Sequence, residues 1–264
     1  MAPALRLLAV LAHPDDESLG VGGTLARYGA EGVETFLVTA TRGERGRVGS
    51  ERPGPAIVGP LRERELRAAA EVLGISEVVF LDYLDAELDR APVEEAVGRI
   101  AAAVRRFRPQ VVITFPHDGS YGHPDHVAIS QLTGAALVEA AAPGPAGEAG
   151  HRVDKLYWIA WRERLWSAYR EAFGDLVARV GGVERRADPW PDWAVTTAID
   201  TRAVWRQVWR AVQCHGSQLA GYAKLSGVSP EHHEAIWGAQ EFYRVWSRVE
   251  CGRGLESDLF EGLR

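Results

Sequence analysis

The sequence predicts an α/β protein: a Rossmann-like, doubly wound, mostly parallel sheet with an appended, tryptophan-rich C-terminal subdomain. Short apolar runs alternate with longer helical patterns over the first half of the chain. Such alternation favours a parallel sheet with right-handed crossovers. Polar clusters follow directly after two of the apolar runs, which is where open α/β sheets place their ligand sites. All nine tryptophans lie in the second half of the chain, which sets that half apart.

The first elements follow in order from residue 5. Residues 5–12 are apolar with one polar break and are predicted as the first strand, which Pro14 ends. A glycine stops the helix predicted over residues 22–31, and a second apolar run predicts a strand over residues 33–39. Residues 42–60 are rich in Gly, Arg and Pro, so we expect a long surface loop there.

The remaining elements of the first half continue the alternation. A helix is predicted over residues 61–73 and a short strand over residues 78–81. A proline near its start supports a helix over residues 92–107. The apolar residues 111–115 predict another buried strand, and a helix follows over residues 125–142.

Composition divides the chain near residue 142. Residues 143–150 consist mainly of Ala, Pro and Gly and are predicted as a linker. Residues 1–142 would then be a Rossmann-like catalytic domain that carries both polar clusters, and residues 151–264 an appended subdomain that completes the substrate pocket. Two strands and one helix are predicted in that subdomain, over residues 155–161, 194–199 and 201–215.

Several side chains of the second half are assigned ordinary roles. The tryptophans are expected to be core or subunit-contact residues rather than a platform for a sugar. His232 and His233 are expected to form a solvated loop pair, because adjacent residues rarely bind one metal ion. Cys214 and Cys251 form no metal-binding or disulfide pattern, so we expect two reduced thiols.

Charge and length limit the partners of the protein. A formal net charge of −6 argues against nucleic acid, which needs a basic face. No stretch approaches the roughly 20 apolar residues that span a bilayer, and the N-terminal run lacks the features of a signal peptide. We therefore expect a cytoplasmic protein that binds a small molecule, with no nucleic-acid or membrane partner and with homo-oligomerisation left open.

The two polar clusters carry the chemistry. Residues 13–16 read His-Pro-Asp-Asp after the first strand, and residues 121–126 read Tyr-Gly-His-Pro-Asp-His after the strand at 111–115. In a doubly wound sheet, adjacent strand ends can bring two such clusters into one site. A hydrolytic zinc ion needs three nitrogen or oxygen ligands and one open position, which two imidazoles and one carboxylate from these clusters can provide.

Five motifs together resemble the LmbE/PIG-L family of zinc-dependent N-acetyl-sugar deacetylases. The most specific are the Ala-His-Pro-Asp-Asp-Glu run at 12–17 and the His-Pro-Asp-His run at 123–126, each after a predicted strand. Residues 41–46 resemble the acidic substrate loop of that family, residues 62–66 its arginine-containing helix start, and residues 215–218 its late His-x-Ser-Gln element.

The resemblance implies a zinc ion, with iron(II) able to take the same ligands. The implied metal ligands are His13, Asp16 and His126. Asp15 is implied as the general base, which takes a proton from the attacking water and returns it to the leaving amine. This role suits a carboxylate that is adjacent to a metal ligand without itself being needed on the metal.

Further residues acquire roles through the same resemblance. His123 would stand beside the developing oxyanion, and Tyr121 would polarise the carbonyl group of the substrate. Asp125 would support either the His123 or the His126 imidazole, and the sequence leaves both alternatives open. The substrate contacts are expected from Arg64, Glu44, Asp85 and His215.

The expected function is zinc-dependent removal of an acetyl group from an N-acetylglucosamine-type substrate. One alternative is an amidase acting on another amide, such as a thiol S-conjugate. A dinucleotide-binding oxidoreductase is a second, because Gly20, Gly22 and Gly23 imitate a phosphate-binding turn, although their spacing does not fit that fingerprint. A catalytically silent sugar- or metal-binding module would not need the spare carboxylate and the supported imidazole.

Overall fold

The computed structural model describes residues 4–252 and 254–264. The described residues form nine strands: β1 (Arg6–Leu11), β2 (Glu34–Thr41), β3 (Glu77–Tyr83), β4 (Val111–Thr114), β5 (Lys155–Ala160), β6 (Val177–Val180), β7 (Val183–Arg186), β8 (Thr197–Asp200) and β9 (Ala239–Ser247). Their α-helices are α1 (Asp16–Ala30), α2 (Pro55–Leu73), α3 (Val93–Phe107), α4 (Gly119–Gly122), α5 (Pro124–Ala140), α6 (Glu163–Phe173), α7 (Trp205–Cys214) and α8 (Pro230–Trp237). Short 3₁₀ turns cover Leu88–Arg90, Asp192–Ala194 and Leu219–Gly227.

Seven strands form one sheet in the order β3-β2-β1-β4-β5-β9-β8. The first five pair in parallel, and β9 pairs antiparallel with both β5 and β8. Strand β1 is buried along nearly its whole length, as a strand covered on both faces should be. The predicted class, a mostly parallel α/β sheet, is confirmed.

The order of the strands creates a switch point between β1 and β4. The chain leaves β1 toward β2 and β3 on one side, then returns to build β4 on the other side. Leu7 of β1 pairs with Val111 of β4, so the carboxyl ends of both strands lie side by side. Crevices at such points are the ligand sites of open α/β sheets.

The second half of the chain continues the same sheet. Lys155 of β5 pairs with Val111 of β4, and β9 and β8 follow outward. The main hydrophobic core runs through both halves and includes Ile113 as well as Phe242. Residues 143–150 are mostly exposed and lie in the connection between α5 and β5. The strands on both sides of this connection belong to one sheet.

A buried ion-pair cluster attaches the C-terminal segment to the sheet. The Glu256 carboxylate, 2% exposed, accepts hydrogen bonds from Lys155 Nζ at 3.0 Å, Tyr157 Oη at 2.9 Å and Thr197 Oγ1 at 2.7 Å. Arg244 Nη1 lies 2.6 Å from the same carboxylate. Because Lys155 is fully buried, its charge depends on this carboxylate.

The largest differences between predicted and observed boundaries are at the starts of α1 and α2. Helix α1 begins at Asp16, six residues before the predicted start at residue 22. The carboxylates in its first turn suit the positive end of the helix dipole, which explains why a polar stretch can be helical. The predicted loop over 42–60 is shorter, because α2 begins at Pro55, where proline is favoured at the first helical position.

The prediction for His232 and His233 is wrong. Both lie on α8, and His233 is buried in an aromatic stack with Trp205, Trp209 and Trp237. That stack belongs to a second hydrophobic cluster formed by residues of the C-terminal half. The helix α6, the hairpin of β6 and β7, the helix α8 and the strand β9 were not predicted.

Two further observations concern membrane-spanning helices and the two cysteines. Among the described residues, no helix combines the length and the apolar character needed to cross a membrane. Cys214 and Cys251 are free thiols.

Candidate metal-dependent active site

The two polar clusters meet at the switch point of the sheet. His13 follows the end of β1, and His126 lies in the first turn of α5, which follows β4 and the short α4. His13 Nδ1 lies 3.2 Å from His126 Nε2, although the residues are separated by 113 positions in sequence. Both imidazoles are almost fully buried.

Asp16 completes a group of three ligand atoms. Its Oδ2 lies 3.7 Å from His13 Nδ1, and its Oδ1 lies 3.6 Å from His126 Nε2. Zinc bonds of about 2.0–2.2 Å in tetrahedral geometry place ligand atoms roughly 3.4 Å apart, so these separations suit one ion. Oδ2 of Asp16 also accepts the backbone N–H groups of Ala12 and His13, which fix the carboxylate.

The other nitrogen of His13 is held by carboxylates. His13 Nε2 lies 3.2 Å from Asp125 Oδ2 and 3.3 Å from Asp85 Oδ1. Asp125 is itself fixed by the backbone N–H groups of Ala86, at 2.7 Å, and Leu88, at 3.2 Å. A hydrogen bond at Nε2 directs the lone pair of Nδ1 toward His126 and Asp16.

The partner of Asp125 differs from both alternatives that the sequence left open. The carboxylate contacts His13, not the side chain of His123 or His126. Asp85, expected as a substrate contact, also lies at this imidazole: its Oδ1 is 3.3 Å from His13 Nε2, and its Oδ2 accepts the backbone N–H of Arg45.

Two other groups around His13 have atoms close enough to hold a metal ion. One joins His13 with His123 and His126, and the other joins it with Asp85 and Asp125. In the second group, both carboxylates already accept backbone N–H groups and the Nε2–H of His13. His123 is the N-cap of α5, where its Nδ1 accepts the backbone N–H of Asp125. All three groups include the His13 imidazole, which is therefore common to every candidate metal position.

The carboxylates favour a positive charge at His13. Burial opposes the charged imidazole, but hydrogen bonds to Asp125 and Asp85 and the charge of Asp16 outweigh burial and raise the pKa of His13 to about 10. Burial raises the pKa of Asp16 to about 7, against the opposing charge of His13. Burial also opposes the charged form of Asp85, yet its bond to His13 holds the pKa of that carboxyl at about 2. A divalent cation beside Nδ1 would supply the positive charge that these carboxylates favour.

The other two histidines of the site favour the neutral imidazole. Burial, reinforced by the charge of His13, lowers the pKa of His123 to about 4. The same two causes hold the pKa of His126 well below its usual range. The His126 Nδ1 lies 3.3 Å from the carbonyl oxygen of Gly119, which leaves Nε2 as the nitrogen that faces His13. Neutral imidazole is the form that binds a metal.

Asp15 lies beside this group in an unusual backbone conformation. Its φ of 113° is in the left-handed region, which residues with a side chain rarely adopt. Its Oδ2 lies 3.1 Å from Arg62 Nη2. The same guanidinium also donates to the carbonyl oxygens of Pro14 and, at 3.0 Å, Gly43. Asp15 is thus positioned by an arginine, next to Asp16.

Arg62 contacts the site at Asp15, whereas Arg64, which was expected as a substrate contact, does not lie against Asp15. Arg62 is 5% exposed, whereas Arg64 is exposed on α2. Two residues correspond to about 200° around a helix, so the two arginines face opposite ways. The helical period could have identified Arg62, because it lies four residues from Val58 and from Leu66, both of them buried and apolar.

Tyr121 packs beside the imidazoles of His123 and His126. It lies on the short α4, where Ser120 has a φ of 66° and the two flanking glycines also have positive φ. The Tyr121 ring packs edge-on against His126, with centroids 5.2 Å apart, and against His123 at 6.0 Å. Burial, reinforced by the charge of Asp16, raises the pKa of the phenol well above its usual range, so it stays a hydrogen-bond donor.

The remaining expected substrate residues have protein partners. Glu44, half-buried, accepts the backbone N–H of Asp85 through Oε2 at 3.1 Å. His215 is fully buried, and its Nε2 lies 2.8 Å from Glu17 Oε1. A separate cavity of about 670 Å³ beside β8, β9 and α8 includes none of these site residues.

Comparison with known proteins identifies relatives of this chain. A model of the PIG-L family, described as GlcNAc-PI de-N-acetylase, matches residues 8–137. A 1D-myo-inositol 2-acetamido-2-deoxy-alpha-D-glucopyranoside deacetylase from Thermobifida fusca (strain YX) is 36% identical over 292 residues, which cover 97% of this chain and 98% of that protein.

Solved structures share the architecture. The conserved protein TT1542 from Thermus thermophilus is 30% identical with a TM-score of 0.65, over 94% of this chain and 97% of that one. The 4-carboxy-2-hydroxymuconate hydratase from Pseudomonas putida KT2440 has a TM-score of 0.69 at 23% identity, over 94% of this chain and 99% of that one. The second likeness shows the fold alone.

Together, the sheet, the clustered histidines and aspartates and these relatives define the class of the protein, a deacetylase that hydrolyses an amide. More particularly, the chain belongs to the PIG-L family. The resemblance that the two main motifs indicated is confirmed.

Proposed function

We propose that this protein is a zinc-dependent hydrolase that removes the acetyl group from an N-acetylglucosamine-type substrate. One observation carries the proposal. His13 Nδ1, His126 Nε2 and the Asp16 carboxylate converge within 3.2–3.7 Å of one another, while the adjacent Asp15 contacts Arg62 instead. Three ligands and one separate carboxylate are what hydrolysis of an amide by water requires.

His13, Asp16 and His126 would hold the metal ion. A bound zinc ion would polarise the amide carbonyl and lower the pKa of a coordinated water, and iron(II) suits the same nitrogen and oxygen atoms. The support is the donor set itself, which contains two imidazoles and one carboxylate. Around it stand three further carboxylates, Asp15, Asp85 and Asp125, so a divalent cation is electrostatically favoured.

Asp15 performs the proton transfer in this proposal. Its carboxylate accepts a proton from the water that attacks the acetyl carbon, and a carbon–oxygen bond forms. The carboxylic acid then gives the proton to the sugar nitrogen while the carbon–nitrogen bond breaks. Acetate and a free amine are the products. The guanidinium of Arg62, 3.1 Å from Asp15 Oδ2, holds the carboxylate in position.

His123 and Tyr121 are proposed as donors to the oxyanion that develops on the carbonyl oxygen. Both flank the His126 ring, with His123 4.9 Å and Tyr121 5.2 Å from it between ring centroids. The Tyr121 phenol keeps its proton at neutral pH, and its raised pKa extends this into the alkaline range. Asp125 acts through His13, whose ring it orients.

The substrate is proposed to be a small amino-sugar conjugate. Glu44 is half-buried and engages Asp85 through one oxygen, which supports a role for the other oxygen at a sugar hydroxyl. Asp85 and His215 are better assigned to supporting the site, since their carboxylate and imidazole face protein groups. A cytoplasmic location is part of the proposal and is supported by the two free thiols.

The test combines metal analysis with a substrate panel. Zinc and iron are measured in the purified protein, and release of acetate and of free amine is followed for several N-acetylglucosaminides, including an inositol-linked one, and for a thiol S-conjugate amide. The proposal expects acetate from an amino sugar, loss of activity with a chelator and recovery with zinc. Activity on the S-conjugate alone would favour the amidase alternative, and activity that survives metal removal would refute the proposal.

A further inference from the structure

The backbone of Asp15 needs an external restraint. With φ at 113° and ψ at −26°, this residue adopts a conformation that its side chain disfavours. Helix α1 starts at the next residue, so a relaxed Asp15 would change the direction in which its carboxylate leaves the chain. Such strain persists only where surrounding groups fix it.

The Glu17 side chain supplies a restraint on the Asp15 N–H, while the Asp15 carbonyl oxygen accepts the backbone N–H groups of Ser18 and Leu19. The Glu17 side chain folds back over the start of α1, and its Oε2 accepts the backbone N–H of Asp15 at 2.9 Å. Its other oxygen, Oε1, accepts hydrogen bonds from Ser18 Oγ at 2.5 Å and from His215 Nε2 at 2.8 Å. Glu17 is therefore bonded to the strained residue through one oxygen and to the rest of the protein through the other.

His215 connects this point to a distant part of the chain. It follows α7 and lies 198 residues from Glu17, yet both side chains are fully buried together with Ser18. Buried carboxylates require partners, and the imidazole of His215 is the group that offsets the buried charge of Glu17. The pair thus anchors the loop of Asp15 to the C-terminal half.

The arrangement is specific to Asp15. The carboxylate of Glu17 spans from the Asp15 N–H to His215, while the carboxylate of Asp15 points to Arg62. Asp16, the adjacent metal-ligand candidate, is fixed separately by the N–H groups of Ala12 and His13. Loss of Glu17 would therefore move the base and leave the ligand in place.

We propose that Glu17 and His215 are positioning residues, which hold the backbone of Asp15 in its left-handed conformation and so aim its carboxylate at the attacking water. This inference rests on the proposed function, in which Asp15 is the general base. It removes His215 from the set of substrate contacts.

The main test compares Glu17→Ala with Glu17→Gln in the full-length enzyme. We expect Glu17→Ala to lower kcat by about 10²-fold, the loss that a misplaced catalytic group produces, with KM changed less than about threefold. Glu17→Gln keeps an oxygen for the Asp15 N–H and should recover most of kcat. Zinc stoichiometry should equal that of the wild type in both variants. Glu256→Gln, which alters another buried carboxylate far along the chain, is the control for general destabilisation and should leave kcat unchanged.

A double-mutant cycle separates positioning from structural damage. In an Asp15→Asn background the base is already lost, so adding Glu17→Ala should reduce the residual kcat by less than about twofold. A further drop equal to that in the wild-type background would overturn the proposal. If Glu17→Ala does not fold, His215→Asn in both backgrounds gives the same comparison, with a smaller expected loss.

A structural readout is independent of activity. A crystal structure of metal-free Glu17→Ala should show Asp15 with a negative φ, whereas Glu17→Gln should keep it positive. A positive φ at Asp15 in Glu17→Ala would refute the inference, whatever the rates. If the wild-type enzyme releases no acetate, the proposed function fails, and the φ of Asp15 still decides whether Glu17 holds this backbone.

Discussion

The Nε2 of His13 lies 3.2 Å from Asp125 Oδ2, and this contact determines which nitrogen of the imidazole is left for a metal ion. When the ring is neutral, as a metal ligand must be, a proton held on Nε2 by the carboxylate leaves the lone pair on Nδ1, which faces His126 and Asp16. The ligand group is therefore set by a residue that does not belong to it.

Replacing Asp125 should weaken metal binding without removing a ligand. In Asp125→Asn the amide cannot accept both the His13 N–H and the N–H groups of Ala86 and Leu88 as the carboxylate does. We expect zinc affinity to fall by about 10–100-fold, which competition with a fluorescent chelator measures. Wild-type affinity in this variant would show that Asp125 does not orient His13.

Removing the proposed base should separate binding from chemistry. Asp15→Asn should keep one zinc ion per chain and lose about 10²–10⁴-fold in kcat. His126→Ala should instead lose bound zinc, because one of three ligands is gone. Elemental analysis and steady-state rates of both variants distinguish these roles. An Asp15→Asn enzyme with normal kcat would contradict the assignment of the base.

The two arginines of α2 form a matched pair. Arg62→Ala removes the buried guanidinium that contacts Asp15, Pro14 and Gly43, so we expect a loss of at least about tenfold in kcat and a lower melting temperature. Arg64→Ala changes an exposed side chain and should shift stability by less than about 0.5 kcal/mol. Thermal unfolding and kinetics on both variants check the comparison. Equal losses in the two would contradict the orientation of α2.

Glu256 should contribute to stability rather than to catalysis. Glu256→Ala leaves the buried Lys155 without its carboxylate, and we expect a loss of about 3–5 kcal/mol in the free energy of unfolding. Urea denaturation measures this loss. Exposed ion pairs typically contribute only about 0–1 kcal/mol. A loss below about 1 kcal/mol would therefore show that this buried cluster stabilises the fold no more than a surface pair does.

Glu256 should also make the free energy of unfolding depend on pH. Burial alone would raise the pKa of Glu256, but its bonds to Thr197 and Lys155 lower it in the folded state. The resulting stabilisation is fully present above the unfolded pKa of about 4.3 and is lost as the pH falls through the lower, folded value. Unfolding measured from about pH 6 downward should therefore show a steeper loss of stability in the wild type than in Glu256→Gln. Parallel curves of stability against pH for the two proteins would contradict a lowered pKa of Glu256 in the folded state.

Much of the first half could be predicted because buried parallel strands are continuous apolar runs, as β1 and β4 show. Strand β9 was missed because polar residues in it are buried on distant partners. Glu241 binds Arg162, and Gln240 accepts the backbone N–H of Thr24. Nothing local in the sequence reveals such pairings.

The candidate site, too, could be predicted from the sequence only in part. Residue types and spacing were enough to bring His13 and His126 together, since both follow strand ends at one sheet edge. The partner of Asp125 depends on side-chain directions, and no spacing rule supplies those. Arg62 was within reach of the sequence, because the helical period places it with Leu66 on the buried face of α2.

The most direct measurement is the position of zinc by anomalous diffraction from crystals of the zinc-loaded protein. We predict a single ion at about 2.0–2.2 Å from His13 Nδ1, His126 Nε2 and an oxygen of Asp16. The Nε2 of His13 should remain on Asp125, and Asp15 should stay off the metal. An ion bound on the Nε2 side, between His13, Asp85 and Asp125, would contradict the account.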